Sequence, residues 1–386
     1  MKENHTLCVR SQNSCFYPLG VNAGLAESSA SWKELSFIWK PDLYLEKLYA
    51  ETEVIRKRNG SDSQDQEQLR NKLATALGSF EALDGTQPAL DPVLLESTDL
   101  GDVIRERVEY SSADGLRVPA YVLIPKKHGN GPFPAVLAWH GHGYGSREVV
   151  GLLPDGSEDT GALGIHRHFA LELCRRGMIV IAPEIVGFGD RKLTWDTEQN
   201  PDTPNSCFPI AAALLLAGKT IAGLRGYEAI RSADYLTTRT DVDASRIGCM
   251  GLSGGGMVAS LSAALDQRIQ AAVICGYSNT YKRSILSRRH CLDNYIPGIL
   301  LHAEMPELIG LIAPRALFIE SGISDPLFPI DATEVTIERV SGIYASMGVQ
   351  ERFISDLFEG RHEISGRRSF DWLAERLSAG GRAISS

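Results

Sequence analysis

Apolar residues recur at two spacings along this chain, and each spacing predicts a different kind of element. Between Trp32 and Leu83 they return every three to four residues, which is typical of amphipathic helices. The polar stretch 59–63 divides them into two groups, so we expect two helices joined by a loop. The positions that carry this pattern are Leu43, Leu45, Leu48, Tyr49, Leu69, Leu73 and Leu77. Residues 1–32 show neither period and are expected to be irregular.

From residue 103 onward the pattern is that of strands. Residues 103–110 and 116–124 alternate between apolar and polar positions on either side of a Ser-Ser-Ala-Asp-Gly turn, which predicts a hairpin at a sheet edge. Apolar runs and helical patterns then alternate, which predicts a mostly parallel sheet covered by helices on both faces. The runs are 135–139, 178–182, 246–250, 271–275, 316–319 and 353–357, and the helical patterns include 168–176 and 210–238.

These patterns divide the chain into three parts. The irregular segment 1–32 is followed by a helical extension over residues 33–100 and by an α/β domain over residues 101–386. The stretch 277–314 lies between two core strands and is longer than a simple crossover. We expect it to fold over the mouth of a site as a lid.

The sharpest chemical signal is a Gly-x-Ser-x-Gly segment centred on Ser253. It follows an apolar run and precedes small residues that predict a helix. A tight turn from strand to helix needs glycine on either side, because the two elements pass close together, and it exposes the serine hydroxyl in a strained conformation. The surrounding strand and helix make a flexible glycine loop the weaker interpretation. Ser253 is therefore the candidate nucleophile.

A serine nucleophile needs a base, and the base needs a carboxylate that orients it. Asp325 and His362 each follow an apolar run, at the point where a strand would deliver them to one edge of the sheet. The spacing between the residues leaves room for the intervening helices and strands. The sequence thus predicts a triad of Ser253, Asp325 and His362. Glu320, at the end of the strand before Asp325, is the alternative acid.

Five motifs together resemble the α/β-hydrolase superfamily, closest to its dienelactone hydrolase and acetyl xylan esterase-like branch. They are His140-Gly-His-Gly, Pro183-Glu-Ile-Val-Gly-Phe-Gly-Asp-Arg, Gly-Leu-Ser253-Gly-Gly, Gly322-Ile-Ser-Asp325-Pro and Gly360-Arg-His362. The match covers about residues 103–380, and the N-terminal helices lie outside it. The resemblance implies a three-layer α/β-hydrolase fold as the catalytic domain, preceded by an N-terminal helical extension.

The resemblance also implies roles for residues outside the triad. The backbone N–H groups of His142 and Gly254 would form the oxyanion hole, because two donors must point at the oxygen that becomes negative. Loops that follow parallel strands commonly bind substrate. On that ground the candidate pocket residues are Tyr144, Arg147, Glu184 and Phe188. A packing role is the alternative for each of them.

Two other constellations suggest different chemistry. His140 and His142 form an H-x-H pair, which recurs in metal-dependent hydrolases, but no carboxylate or histidine at ligand spacing accompanies them. His290 and Cys291 suggest a base and a nucleophile, but adjacent side chains on one backbone rarely face each other. We therefore expect no metal, no cysteine nucleophile and no cofactor.

Net charge, the length of the apolar runs and the cysteine pattern limit the classes of partner and the compartment expected for this protein. Lys and Arg total 39 against 48 Asp and Glu, a formal net charge of −9, which opposes nucleic acid binding. No apolar run approaches the roughly 20 residues that cross a bilayer, and none near the start has the length of a secretory signal. Seven cysteines without CxxC pairing fit a reducing compartment. We expect a cytoplasmic protein without a membrane partner, for which a homodimer is an open option.

The expected activity is hydrolysis through an acyl-enzyme. By the resemblance, the leading substrates are esters of small acids or lactones. Cleavage of carbon–carbon bonds or peptides by the same fold is the first alternative. A non-catalytic binding module is the second, and the three intact triad residues argue against it.

Overall fold

The computed structural model describes residues 39–58, 65–80, 87–129 and 131–378. The chain divides into two compact units, residues 1–48 and residues 49–386. The expected irregular segment lies outside the described residues. Both predicted N-terminal helices are present, α1 over Asp42–Arg58 and α2 over Gln66–Leu77, and the three leucines of α2 are buried.

Strands pair into one sheet with the order β1-β2-β3-β5-β4-β6-β7-β8-β9 across the described residues. They are β1 Val93–Asp99, β2 Val103–Ala113, β3 Leu116–Pro125, β4 Phe133–Trp139, β5 Ile179–Pro183, β6 Val242–Leu252, β7 Ile269–Cys275, β8 Ala316–Gly322 and β9 Phe353–Phe358. The first three strands and the β3–β5 pair are antiparallel, and the other pairs are parallel. The mostly parallel sheet is confirmed.

Strand β1 corrects one expectation. It lies inside residues 33–100, which were expected to be helical, and it pairs with β2 at the edge of the sheet. The first five of its seven residues, starting at Val93, are all exposed. Its side chains therefore do not alternate between buried and exposed positions, and the sequence shows no strand pattern. Edge pairing supplies the backbone hydrogen bonds that hold it in place, and those bonds leave no trace in side-chain periodicity.

Helices follow the strands along the chain and cover both faces of the sheet. They are α3 Phe169–Cys174, α4 Thr194–Gln199, α5 Cys207–Leu216, α6 Ile221–Thr238, α7 Gly254–Leu265, α8 Met305–Gly310, α9 Ile330–Ser346 and α10 Ser369–Ser378. Neighbouring residues of β4 show the two faces, because Leu137 joins the apolar cluster with α6 and α7 while Val136 joins the cluster with α3 and α10. The result is the predicted three-layer architecture.

The helical pattern expected over residues 210–238 is two helices. The break lies at Ala217–Thr220, where Gly218 has a φ of 70° and Thr220 caps α6 by accepting a hydrogen bond of 2.8 Å from the backbone N–H of Gly223. In the described part of the chain no single helix meets the length and hydropathy needed to cross a membrane, although α5 and α6, bent by 99°, meet it as a pair.

The parallel strands end at one edge of the sheet, and the candidate site residues follow them there. His142 follows β4, Ser253 follows β6, Asp325 follows β8 and His362 follows β9. The stretch 277–314 contains a π-helical turn at Tyr281–Ile285, two short 3-10 turns and α8. Whether it acts as a lid stays a prediction.

Candidate active site

Ser253 occupies a strained turn between the central strand β6 and helix α7. Its φ of 58° and ψ of −121° lie in a backbone region that residues other than glycine rarely adopt. Its backbone N–H donates to the Cys275 carbonyl at 2.9 Å, which fixes the turn against β7. A Cβ at Gly255 would overlap the carbonyl oxygens of Trp139 and His140, so only glycine lets α7 start this close to β4. This is the geometry that the Gly-x-Ser-x-Gly pattern predicts.

His362 and Asp325 are paired. Nδ1 of His362 lies 2.7 Å from Oδ2 of Asp325, whose side chain is fully buried. The other carboxylate oxygen accepts the backbone N–H groups of Leu327 and Phe328 at 2.8 and 3.1 Å. The ring of Phe328 stacks on the imidazole with centroids 5.7 Å apart. Because the pair is fixed from both sides, Nε2 of His362 is the nitrogen left for chemistry.

The alternative acid, Glu320, is engaged elsewhere. Its carboxylate accepts the hydroxyl of Ser369 at 2.7 Å and the backbone N–H groups of Ser365 and Gly366 at 2.9 and 3.1 Å. Burial raises the pKa of Glu320 despite these donors. Of the two carboxylates, Asp325 is therefore the one that contacts His362.

Ser253 and His362 both lie beside the end of β7. The backbone N–H of Ser253 donates a hydrogen bond to the Cys275 carbonyl. Gly276, which follows Cys275, has a φ of 54°. A Cβ at Gly276 would lie 3.2 Å from Cε1 of His362 and 3.1 Å from Cδ1 of Leu252, which precedes the serine. The missing side chain thus gives the imidazole room beside the serine turn.

The two candidate oxyanion residues lie side by side next to the serine. Gly254 begins α7, and the first N–H groups of a helix have no partner inside it. A Cβ at Gly254 would lie 3.0 Å from Nδ1 of His142, and a Cβ at Gly141 would lie 3.4 Å from Cβ of Ser253. The structure therefore brings His142, Gly254 and Ser253 together, and the oxyanion role of the two backbone N–H groups stays a prediction.

Two residues that the sequence did not single out hold the turn at residues 140–144. Nε2 of His166 accepts the backbone N–H of Gly141 at 2.8 Å, and its Nδ1 lies 2.9 Å from a carboxylate oxygen of Glu148. The other oxygen of Glu148 accepts the N–H of Tyr144 at 3.3 Å. Burial pushes the pKa of Glu148 upward, but His166 and the Tyr144 N–H outweigh it and the pKa falls below its usual value. The carboxylate is thereby kept charged as the anchor of the turn.

Three of the four candidate pocket residues line a cavity of about 590 Å³ beside His142. They are Tyr144, Arg147 and Phe188, and Lys192 and Asn205 also line it. The Tyr144 hydroxyl donates to the Leu152 carbonyl at 3.0 Å, and burial together with the Glu148 charge raises its pKa to about 12. Ser253 and His362 are not part of the cavity wall, so the cavity adjoins the serine through His142.

Glu184, the fourth candidate, does not reach the cavity. It is completely buried, and its carboxylate accepts the backbone N–H and the hydroxyl of Ser146 at 2.9 and 2.8 Å. Burial raises its pKa, but His140 and Ser146 outweigh that effect and the pKa is lowered. Its part is to hold the 3-10 turn Ser146–Val149 that carries Arg147. The expectation of a pocket role is wrong, because the residue after β5 points into the protein.

The two remaining candidate pairs, His140 with His142 and His290 with Cys291, do not act as pairs in the structure. Both ring nitrogens of His140 are engaged, Nε2 with the Ile185 N–H at 3.0 Å and Nδ1 with the Gly141 carbonyl at 2.9 Å. His290 lies 3.2 Å from the Ser284 hydroxyl, and burial with the neighbouring Arg288 charge lowers the pKa of His290 to about 4. His142 instead approaches a cluster of residues from distant parts of the chain, namely Cys207, Cys291 and Asp293.

The chain is similar to one curated protein and to solved esterase structures. No family model matches the chain. A Bacillus subtilis (strain 168) protein named “Putative hydrolase YtaP” is 32% identical over 239 residues, which are 61% of this chain and 74% of that protein. The crystal structure of “a putative acetyl xylan esterase” from Bacteroides fragilis NCTC 9343 has a TM-score of 0.62 at 18% identity, covering 76% of this chain and 74% of that one. A glucuronoyl esterase from Solibacter usitatus has a TM-score of 0.58 at 16% identity, covering 80% and 92%.

Proposed function

We propose that this chain, which belongs to the α/β-hydrolase superfamily, is a serine esterase that acts through Ser253, His362 and Asp325. The observation that carries the proposal is the strained backbone of Ser253, with φ 58° and ψ −121°, at the end of the central strand. Backbone strain in a residue other than glycine costs free energy and persists where function uses it. The His362–Asp325 pair at the same sheet edge supplies the base that such a serine requires.

Acylation begins when Oγ of Ser253 bonds to the ester carbonyl carbon and its proton passes to Nε2 of His362. Asp325 accepts the Nδ1–H of the ring and stabilises the resulting imidazolium. The carbonyl oxygen becomes negative and receives the backbone N–H groups of His142 and Gly254. When the tetrahedral intermediate collapses, the bond to the alcohol oxygen breaks and that oxygen takes the proton from Nε2.

Deacylation reverses these roles with water. His362 removes a proton from a water molecule as the water oxygen bonds to the acyl carbon, and the same two N–H groups receive the second oxyanion. The bond to Oγ then breaks, the carboxylic acid leaves, and Nε2 returns its proton to Ser253. Glu148 and His166 hold the turn that carries His142 throughout the cycle.

The alcohol side of the ester is polar, because it would enter the cavity beside His142. The cavity beside His142 is lined by a phenol, a guanidinium and an amide, from Tyr144, Arg147 and Asn205, and its volume of about 590 Å³ falls in the usual range of small-molecule sites. Two of the structural neighbours are named “a putative acetyl xylan esterase” and a glucuronoyl esterase. Small-acyl esters of carbohydrate-like alcohols are therefore the proposed substrates.

The test is the intact-protein mass after incubation with a fluorophosphonate. Wild type and Ser346→Ala, which removes an exposed serine on α9, are expected to gain one adduct, and Ser253→Ala none. An equal adduct on Ser253→Ala, or no adduct on wild type, would contradict the proposal.

The bond that is cleaved is tested with a substrate panel. Acetyl esters, longer acyl esters, a diketone and a peptide are assayed side by side. Acetyl esters are expected to turn over fastest. Turnover of the diketone or the peptide without esterase activity would replace ester hydrolysis as the function.

A further inference from the structure

Four side chains from three separate parts of the chain converge next to the oxyanion turn. They are His142 after β4, Cys207 at the start of α5, and Cys291 and Asp293 before and within the 3-10 turn Leu292–Asn294. One donor atom from each lies within 4.8 Å of all the others. A tetrahedral zinc ion with bonds of about 2.0–2.3 Å places its ligand atoms about 3.3–3.8 Å apart. The four atoms therefore need to close by only about 1 Å to surround such an ion.

Neighbouring residues orient these groups as outer residues do around a metal. The completely buried guanidinium of Arg225 donates to Oδ2 of Asp293 and to Sγ of Cys207, the latter at 3.1 Å. The amide of Asn294 donates to Oδ1 of Asp293 at 2.5 Å. Metal ligands are typically fixed by such second hydrogen bonds, which hold the ligand atom in place and favour its charged form. Lone pairs on both Asp293 oxygens and on the sulfur remain for an ion.

The charges of the cluster remain balanced when a divalent ion binds, as they are in the Arg225–Asp293 pair with neutral thiols. Two thiolates and the Asp293 carboxylate carry a charge of −3, and the buried Arg225 guanidinium contributes +1. A zinc ion adds +2 and brings the buried group to zero, which a low-dielectric interior requires. Binding converts two neutral thiols into thiolates and releases their two protons to solvent.

We propose that His142, Cys207, Cys291 and Asp293 form a zinc site. Thiolates and imidazole are the ligands that zinc prefers, and four protein ligands make a closed, structural site. The ion reaches it past His142, whose side chain is 36% exposed and lines the cavity. The zinc fixes the ring of His142 over Gly254 and so holds the turn that donates the oxyanion hydrogen bond.

No sequence motif marks the site, because its ligands lie on three separate stretches of backbone. Only one residue separates Cys291 from Asp293, whereas common zinc motifs place at least two residues between neighbouring ligands. Only the fold brings the thiols and the carboxylate to the H-x-H pair. The expectation that no carboxylate accompanies His142 holds along the chain and fails in space, where Oδ2 of Asp293 lies 3.7 Å from its Nε2.

The experiment measures metal binding by the full chain without a histidine tag, purified under reductant. Elemental analysis is expected to find about one zinc per chain after zinc loading and gel filtration. Replacement by Co²⁺ is expected to give thiolate-to-metal charge-transfer absorption and the visible bands of a tetrahedral site. The double variant Cys207→Ala/Cys291→Ala is expected to lose both signals, whereas Cys174→Ala/Cys249→Ala, which removes two buried thiols elsewhere, retains them.

His142→Ala provides a second variant, because this partly exposed side chain can be removed without opening the core. Its zinc affinity, measured by competition with a chromophoric chelator, is expected to fall at least 10-fold. A wild type that binds no more zinc than the Cys207→Ala/Cys291→Ala variant would overturn the site, as would a cobalt adduct without thiolate bands. Since no substrate is used, loss of the esterase proposal would leave this result intact, and the reverse also holds.

Discussion

Nδ1 of His362 and Oδ2 of Asp325 lie 2.7 Å apart, and the other carboxylate oxygen of Asp325 accepts hydrogen bonds from two backbone N–H groups. This arrangement fixes the tautomer of the imidazole, because Nδ1 must donate and Nε2 is left to accept a proton from the serine. Asp325→Asn offers an amide N–H in place of an acceptor and favours the wrong tautomer. We expect kcat to fall about 10³- to 10⁴-fold with a small change in KM. Steady-state kinetics on an acetyl ester checks this, and a loss under 10-fold would contradict it.

Glu320→Gln is expected to lower stability rather than turnover. The carboxylate of Glu320 accepts Ser369 Oγ and two backbone N–H groups, and an amide cannot accept all of them with both ends. One buried donor then loses its partner, at a cost of about 1–3 kcal/mol. Urea unfolding measures the loss, and kcat per folded molecule should stay within about twofold of wild type. A collapse of kcat in folded protein would make Glu320 the acid instead of Asp325.

Glu148→Gln is expected to loosen the oxyanion turn, since the charged acceptor of His166 and of the Tyr144 N–H is lost. We expect kcat to fall about 10-fold with little change in KM, because a displaced donor weakens binding of the transition state more than of the substrate. Kinetic constants measured on the same acetyl ester check this. A rise in KM at constant kcat would point to substrate binding instead.

The same variant has a signature in pH. The pKa of Glu148 is lowered in the folded protein. A carboxylate of this kind stabilises the fold above its unfolded pKa of about 4.3, and the contribution is lost as the pH falls through the folded value. Wild type is therefore expected to be about 1–3 kcal/mol more stable than Glu148→Gln at pH 7 and to lose that advantage below about pH 4. Denaturant unfolding across this range would reveal a pH-independent difference if the assignment were wrong.

Gly255→Ala and Gly342→Ala are expected to have opposite effects. A Cβ at Gly255 would overlap the Trp139 carbonyl and lie 2.6 Å from the His140 carbonyl, and neither backbone oxygen can move freely. Its α7 should detach from β4, with a loss of stability above about 3 kcal/mol. A Cβ at Gly342, on the exposed side of α9, meets nothing within 4 Å and should stabilise the helix by about 0.5–1 kcal/mol. Thermal unfolding of both variants decides this, and equal midpoints would refute the packing argument.

Elements whose side chains alternate or recur could be predicted from the sequence. Each predicted run from 135–139 to 353–357 is a strand of the parallel part of the sheet, and the inner strands are apolar because both of their faces are buried, whereas the edge strand β9 also carries Ser355 and Asp356. Strand β1 escaped notice because its backbone pairing is independent of its exposed side chains. The break between α5 and α6 was missed because Gly218 and Thr220 sit within an otherwise helical pattern.

The candidate site divides in the same way. Ser253, Asp325 and His362 were predicted because each follows a strand at one sheet edge, which sequence order reveals. Glu148 and His166 act through contacts with the turn at residues 140–144, and nothing in their own neighbourhood marks them. Glu184 was misassigned because the end of a strand does not determine which way the next side chain points.

The position of His362 after β9 has a consequence for inactivation by heat. Within the described residues β9 lies at one edge of the sheet and pairs with β8 alone, whereas β6, which Ser253 follows, is paired on both sides. Outer strands open in local fluctuations that leave the centre of a sheet intact. We therefore expect His362 to separate from Ser253 before the fold is lost. Catalysis should fail at a lower temperature than the one at which helical circular dichroism disappears, and the amides of Phe353–Phe358 should exchange with deuterium faster than those of Ile247–Leu252.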